Sequence, residues 1–182
     1  MSLHWLKYLD PGPSDPDLRV WLQQEGSTTK RLNQIYGPQA QNIKITQSQW
    51  GILMDDEIIL FEPSKRYWIR EVVLYINHKP WMWARSCFPE QTLASFDTNL
   101  GSFKDSLGYL LFSDPSLQRS AFSYTSITRA HPFYQAASQY TETKHPCLWG
   151  RRSMLHFRQK PLLLTEVFLP DNLPQLSNKI DG

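Results

Sequence analysis

Leu162-Leu163-Leu164-Thr165-Glu166-Val167-Phe168-Leu169-Pro170 is an almost wholly apolar run holding one carboxylate, and no other segment constrains the fold as tightly. A strand covered on both faces reads as such a continuous run, whereas a half-exposed strand alternates. Alternation puts Glu166 on the face shared by Leu164 and Phe168, so its near neighbours on that face are hydrocarbon. A carboxylate there is costly unless it is paired or protonated. Two readings of Glu166 follow. It is a structural carboxylate bridged to an arginine, or it is a carboxyl that desolvation raises into the range of proton transfer near neutrality.

The rest of the chain supplies partners for that strand. Arg66-Tyr67-Trp68-Ile69-Arg70-Glu71-Val72-Val73-Leu74-Tyr75-Ile76 is β-branched and aromatic, hence a strand. Asn77-His78-Lys79-Pro80 turns it, and residues 81–88 return antiparallel. Ser153 to Phe157 forms another strand, turned through Gln159-Lys160-Pro161 into the Glu166 strand. Residues 43–61 are strand-like and mixed. Near the N-terminus, Asp15 with Pro16 starts a helix that Gly26 ends, and Ser27 caps a second one that stops at Gly37-Pro38. A further helix is expected over 103–112. Residues 113–147 are polar without a firm period and read as a long connection. Hairpins dominate and no βαβ alternation occurs, so the class is α+β: one domain over 1–170, an antiparallel sheet with helices on one side, and a loose tail at 171–182.

Composition narrows the function. With 182 residues, 41% hydrophobic, 13% aromatic and seven Trp, the chain can bury a full core. A net charge of +2 gives no field to attract nucleic acid or acidic lipid. No stretch approaches the roughly 18 apolar residues that span a bilayer, and the first residues lack a secretory pattern, so a cytoplasmic protein is expected. Cys87 and Cys147 fit no metal spacing and read as reduced thiols. Eight glycines form no phosphate-cradling loop, five His show no HxxxH or HxH spacing, and no GxSxG is present. The expected site is therefore free of metal and cofactor.

Charges inside the strands are its candidate residues. Arg70 lies between Trp68 and Val72 on one face and Glu71 between Ile69 and Val73 on the other; alternation leaves open which faces inward. An inward Arg suits a carboxylate, because guanidinium binds one through two parallel hydrogen bonds and keeps its charge when desolvated. Arg85, between Trp83 and Cys87 in sequence, is a second candidate anion site. Arg151-Arg152 reads as a surface basic patch, with RNA contact a weak alternative that no aromatic RNA-binding motif supports.

Five segments together resemble the bacterial chorismate pyruvate-lyase family, which makes 4-hydroxybenzoate for ubiquinone synthesis. They are Ser27-Thr28-Thr29-Lys30-Arg31, Arg66-Tyr67-Trp68-Ile69-Arg70-Glu71, Leu107-Gly108-Tyr109-Leu110-Leu111-Phe112, Leu148-Trp149-Gly150-Arg151-Arg152-Ser153, and Lys160 to Pro170, in the family's order over about residues 18–170. The resemblance implies a six-stranded antiparallel sheet with an internal ligand cavity, no cofactor, and conversion of chorismate to 4-hydroxybenzoate and pyruvate. It implies that Arg70 binds the carboxylate of the aromatic acid, that Glu166 meets the hydroxyl at the far end of the ring, and that the backbone at Thr28 and Leu107 lines flaps over the ligand. Arg85 is then expected to contact the enolpyruvyl carboxylate, and a monomer is expected. The family more often has Met or Leu at Thr28; one of its members has Gly at Ala84, and the stretch 129–146 is longer here than in that relative. The rival expectation is a non-catalytic aromatic-acid sensor or carrier of the same fold.

Overall fold

The computed structural model describes residues 2–64, 66–96 and 107–174. In chain order its elements are α1 (Pro16–Gln23), α2 (Thr28–Tyr36), β1 (Gln41–Gly51), α3 (Asp55–Ile58), β2 (Tyr67–Ile76), β3 (Lys79–Pro89), α4 (Glu90–Leu93), α5 (Leu107–Phe112), β4 (Gln118–Arg119), β5 (Ser123–Thr128), α6 (Pro132–Ser138), β6 (Cys147–Phe157) and β7 (Lys160–Phe168).

Local chemistry sets the boundaries. The Asp15 carboxylate accepts from the backbone N–H groups of Asp17 and Leu18, with Pro16 opening α1, and Ser27 Oγ accepts from the Lys30 N–H to start α2. Helix α1 stops at Gln23, three residues ahead of the expected Gly26. Gly37, at φ +82°, ends α2 as expected. Both major hairpins close through two residues at positive φ, Asn77-His78 between β2 and β3 and Arg158-Gln159 between β6 and β7. Such pairs twist the chain to match the flanking strands. The second turn therefore lies earlier than Gln159-Lys160-Pro161, which changes the register of everything beyond it.

All strand pairs are antiparallel, in the order β1-β2-β3-β7-β6-β4, with β5 also on β6. Among the described residues the sheet thus has seven strands where six were expected. The polar stretch 113–147 is not a simple connection but supplies two of them, β4 and β5, together with α6. Strands β4 and β5 divide one edge between them, pairing with opposite ends of β6. Strand β6 begins at Cys147, ahead of the expected Ser153.

Helices cover both faces, not one. On the front face, α1 and α2 pack Leu18, Trp21, Leu22 and Leu32 against Val72, Leu74, Met82 and Phe168, and α5 packs Leu107 and Leu111 against Phe88, Leu155 and Leu162. On the back face, α6 packs Phe133, Tyr134 and Ala137 against Val73, Trp83 and Val167. Double coverage is the physical reason that β3 and β7 carry apolar residues at successive positions. Of the expected tail, the start is anchored: Trp21 Nε1 donates to the Pro174 carbonyl at 2.7 Å and Leu173 packs on the front core. Residues 175–182, and 103–106 of the expected helix, lie outside the described residues. No described helix is long and apolar enough to cross a membrane.

Trp81 is fully buried, with its ring centroid 5.1 Å from that of Trp21 and 6.0 Å from that of Phe168, so it joins α1 to the sheet. Trp81→Ala should cost about 3–5 kcal/mol. Urea unfolding checks this; a loss below about 1 kcal/mol would show that α1 is held by other contacts.

Candidate active site

Residues directly opposite one another in a sheet share a face, so register alone assembles the site. Val72 pairs with Ala84, Ala84 with Glu166, and Glu166 with Arg151. In the adjoining row Arg70 pairs with Ser86, Ser86 with Leu164, and Leu164 with Ser153. Arg70 and Glu166 therefore stand on the same front face, two strands and one row apart, or roughly 12 Å between backbones at the usual strand spacing and rise. This settles Arg70, not Glu71, as the residue facing front.

Glu166 is 4% exposed and Arg151 is fully buried. Arg151 Nε donates to Glu166 Oε2 at 2.6 Å. Its Nη1 donates to the carbonyls of Trp21, Leu22 and Gln24 at 3.0, 3.1 and 2.7 Å, and its Nη2 to Thr28 Oγ1 at 3.0 Å. The Thr28 hydroxyl, having accepted from Arg151, turns its proton to Glu166 Oε1 at 3.4 Å. Aromatic faces flank the guanidinium, with Phe122 at 4.2 Å and Phe168 at 5.5 Å from its carbon. Gly150, the residue before Arg151, permits the close strand approach: a Cβ there would meet the Glu166 carbonyl oxygen at 3.0 Å.

This environment favours the first of the two readings of Glu166, a carboxylate bridged to an arginine. Burial pushes its carboxyl up, but the adjacent Arg151 charge and hydrogen bond, with Arg119 and Thr28 adding to them, hold it below its ordinary value. Glu166 is thus ionised at neutral pH. The expected surface patch Arg151-Arg152 is corrected, since both residues are buried and point to opposite faces. Arg151 is the site residue that sequence reading missed. Phe157 pairs with Lys160, and counting outwards equally along both strands brings Arg151 opposite Glu166. A correctly placed turn would have revealed it.

Arg70 is 2% exposed, and burial lowers its pKa to about 10, so it remains a cation at neutral pH. Between Arg70 and Glu166 lies a pocket walled by Val72, Leu74, Met82, Ala84 and Leu164 of the sheet. Thr28, opening α2, and Leu107, opening α5, stand on its other side, together with Arg119 of β4. The space between these walls, open mouth and adjoining solvent included, is about 550 Å³. The structure brings Arg70, Glu166, Thr28 and Leu107 together here.

Arg85 does not join them. Alternation places it on the back face, where Nε and Nη2 bind Glu57 at 2.9 and 3.1 Å and Nη1 binds Glu71 at 2.6 Å. Burial opposes its charge, but these carboxylates raise its pKa above the ordinary arginine value. Arg152 lies on the same back face, bonded to the Asp56 carbonyl at 2.9 Å, and Trp5 Nε1 donates to Asp56 Oδ2 at 2.7 Å. Cys87, bonded to Glu57, has its thiol pKa pushed well up by burial, and both cysteines are free thiols. Among the described residues no group of three or more His, Cys, Asp or Glu is placed to hold a metal ion.

Solved structures share the fold at low identity. The C-terminal domain of the histidine utilization repressor from Pseudomonas syringae pv. tomato superposes with a TM-score of 0.52 at 12% identity, covering 78% of this chain and 99% of that one. The ligand-binding domain of a putative GntR-family regulator from Bordetella bronchiseptica gives 0.53 at 12% identity, covering 74% and 89%. In sequence, the chain is 35% identical over 175 residues to the chorismate pyruvate-lyase of Enterobacter sp. (strain 638), covering 93% of each chain. It is 34% identical over the same length to those of Escherichia coli O9:H4 and Salmonella arizonae, again covering 93% of each. The profile of the chorismate lyase family matches residues 3–179, and with these relatives it shows that the chain belongs to that family.

Proposed function

We propose that this protein is a chorismate lyase that converts chorismate to 4-hydroxybenzoate and pyruvate. The observation that carries the reading is a buried cation and a buried ionised carboxylate, Arg70 and Glu166, facing one apolar pocket in a chain of this family. Chorismate is a cyclohexadiene with a carboxylate on C1, an enolpyruvyl ether on C3 and a hydroxyl on C4. Arg70 binds the ring carboxylate, and Glu166, on the far side of the pocket, accepts a hydrogen bond from the C4 hydroxyl.

The reaction is an elimination. The C4–H electron pair becomes the new ring double bond, and the C3–O pair leaves with the ether oxygen as enolpyruvate, which takes a proton on carbon to become pyruvate. Aromatisation supplies the drive, so the step requires no redox cofactor or metal. Opening of the C3–O bond makes the C4 proton acidic, and a carboxylate of low basicity then suffices to receive it. Glu166 fills that role, with Arg151 and Thr28 fixing its direction. Thr28 and Leu107 cover the ligand, and the apolar walls exclude water and strengthen both polar contacts. A product held by the same two groups leaves slowly. The reading makes this a cytoplasmic, monomeric enzyme supplying 4-hydroxybenzoate for ubiquinone synthesis.

Purified protein with chorismate should release equimolar 4-hydroxybenzoate and pyruvate, followed by chromatography and a coupled pyruvate assay; binding without pyruvate would replace the lyase reading with that of an aromatic-acid binding protein. Arg70→Ala removes the carboxylate partner and should weaken 4-hydroxybenzoate binding by roughly 10–100-fold in calorimetry. Glu166→Gln should lower kcat more than it alters KM.

The pH dependence follows from the lowered Glu166 pKa. The carboxylate is ionised above the ordinary glutamate value of 4.5 and gains its proton only as pH falls below it. The stability that its pairing contributes is therefore fully present above the unfolded pKa and is lost as pH falls through the lower folded one. The acid limb of kcat should lie below about pH 5. A limb near about pH 6–7 that disappeared in Glu166→Gln would show that the carboxyl acts in its protonated form.

A further inference from the structure

Chorismate carries two carboxylates, and Arg70 accounts for one. Arg85 is on the back face, engaged by Glu57 and Glu71. Arg151 directs its donors to Glu166, Thr28 and three backbone carbonyls, which commits it to holding the carboxylate in place. Arg119 is the remaining cation among the described residues of the pocket wall. It pairs with Leu155, which alternation along β6 puts on the same face as Arg151, so Arg119 also belongs to the front face. Its Nη1 donates to the Gly26 carbonyl at 3.0 Å, beside the turn whose next residues, Ser27 and Thr28, line the pocket. The Phe122 ring lies 5.0 Å from its guanidinium carbon.

In the sheet order β2-β3-β7-β6-β4, Arg70 is on β2, Glu166 on β7 and Arg119 on β4. The carboxylate that receives the C4 end thus has one cation on each side. In chorismate the enolpyruvyl group springs from C3, next to C4, so its carboxylate lies at the Glu166 end of the ring, away from the C1 carboxylate. We infer that Arg119 binds the enolpyruvyl carboxylate and so distinguishes the dicarboxylate substrate from the monocarboxylate product. Burial and the Arg151 charge both disfavour the Arg119 cation, while Glu166 favours it. A second anion beside Arg119 relieves both penalties. When the C3–O bond breaks, this carboxylate departs with pyruvate, and the aromatic product keeps only the contacts to Arg70 and Glu166.

The assignment rests on the lyase reading, and its test separates the two. Wild-type protein, Arg119→Met and Arg119→Lys are compared for binding of 4-hydroxybenzoate and of 3-(carboxymethoxy)-4-hydroxybenzoate, an aromatic dicarboxylate that cannot eliminate, and for chorismate turnover. Arg119→Met should lose roughly 10–100-fold in affinity for the dicarboxylate and raise KM for chorismate similarly, while 4-hydroxybenzoate affinity stays within about threefold. Arg119→Lys should recover part of the loss, since it keeps the charge without the planar fork. Equal weakening of both ligands, or unchanged dicarboxylate affinity, in folded Arg119→Met or Arg119→Lys would overturn the Arg119 assignment alone. Absence of pyruvate from the wild type would overturn the lyase reading instead.

Discussion

The ion pair between Arg151 and Glu166 joins three parts of the molecule. Its partners lie directly opposite on β6 and β7, and the same guanidinium collects the carbonyls of Trp21, Leu22 and Gln24 at the end of α1. Carbonyls at a helix C-terminus lack intrahelical donors and carry partial negative charge, so a buried cation there satisfies both needs. Its remaining donor holds the Thr28 hydroxyl at the start of α2. One side chain thereby fixes the central strands, the end of one helix and the beginning of the next. Buried ion pairs often contribute little net stability compared with hydrocarbon of the same volume. What this one provides is direction and charge: an ionised carboxylate held still at an apolar pocket.

The two faces of the sheet carry separate polar centres, and alternation sorts neighbouring residues between them. Arg70 goes to the front and Glu71 to the back; Arg151 goes to the front and Arg152 to the back. The front centre spaces its charges around a pocket. The back centre closes on itself, with Arg85 held by Glu57 and Glu71, and Asp56 joining Trp5 to Arg152. Removing one partner from such a closed group leaves a buried charge unpaired, which is why the group persists as a unit. It ties α3 and the N-terminal segment to the sheet and keeps the central strands fixed beneath the pocket.

The fold by itself does not specify chemistry. Domains described as parts of transcriptional regulators share this architecture at about one residue in ten, whereas the chorismate lyase relatives share one in three over nearly the whole chain. A face of an antiparallel sheet under two helical segments is a general small-molecule container. On the proposed reading, specificity resides in which inward positions carry arginine and which carries the acid.

Periodicity made the sheet, its two principal hairpins and the capped helices legible, because alternation and capping are local properties of the chain. It also singled out Glu166, and Arg70 together with its neighbour Glu71, since charges in otherwise apolar strands are visible without any partner. Three things required the tertiary structure. Which of Arg70 and Glu71 faces the pocket depends on what covers each face, not on the strand itself. The partner of Glu166 depends on register, which a turn at Arg158-Gln159 sets and which a turn placed further along obscures. The charge state of Glu166 depends on that partner: a carboxyl surrounded by hydrocarbon titrates high, but beside a buried guanidinium it titrates low. The sequence by itself determined that a charged group is buried in this sheet. Only the assembled strands and helices decided which charge answers it, because ion pairing joins residues that the chain keeps apart.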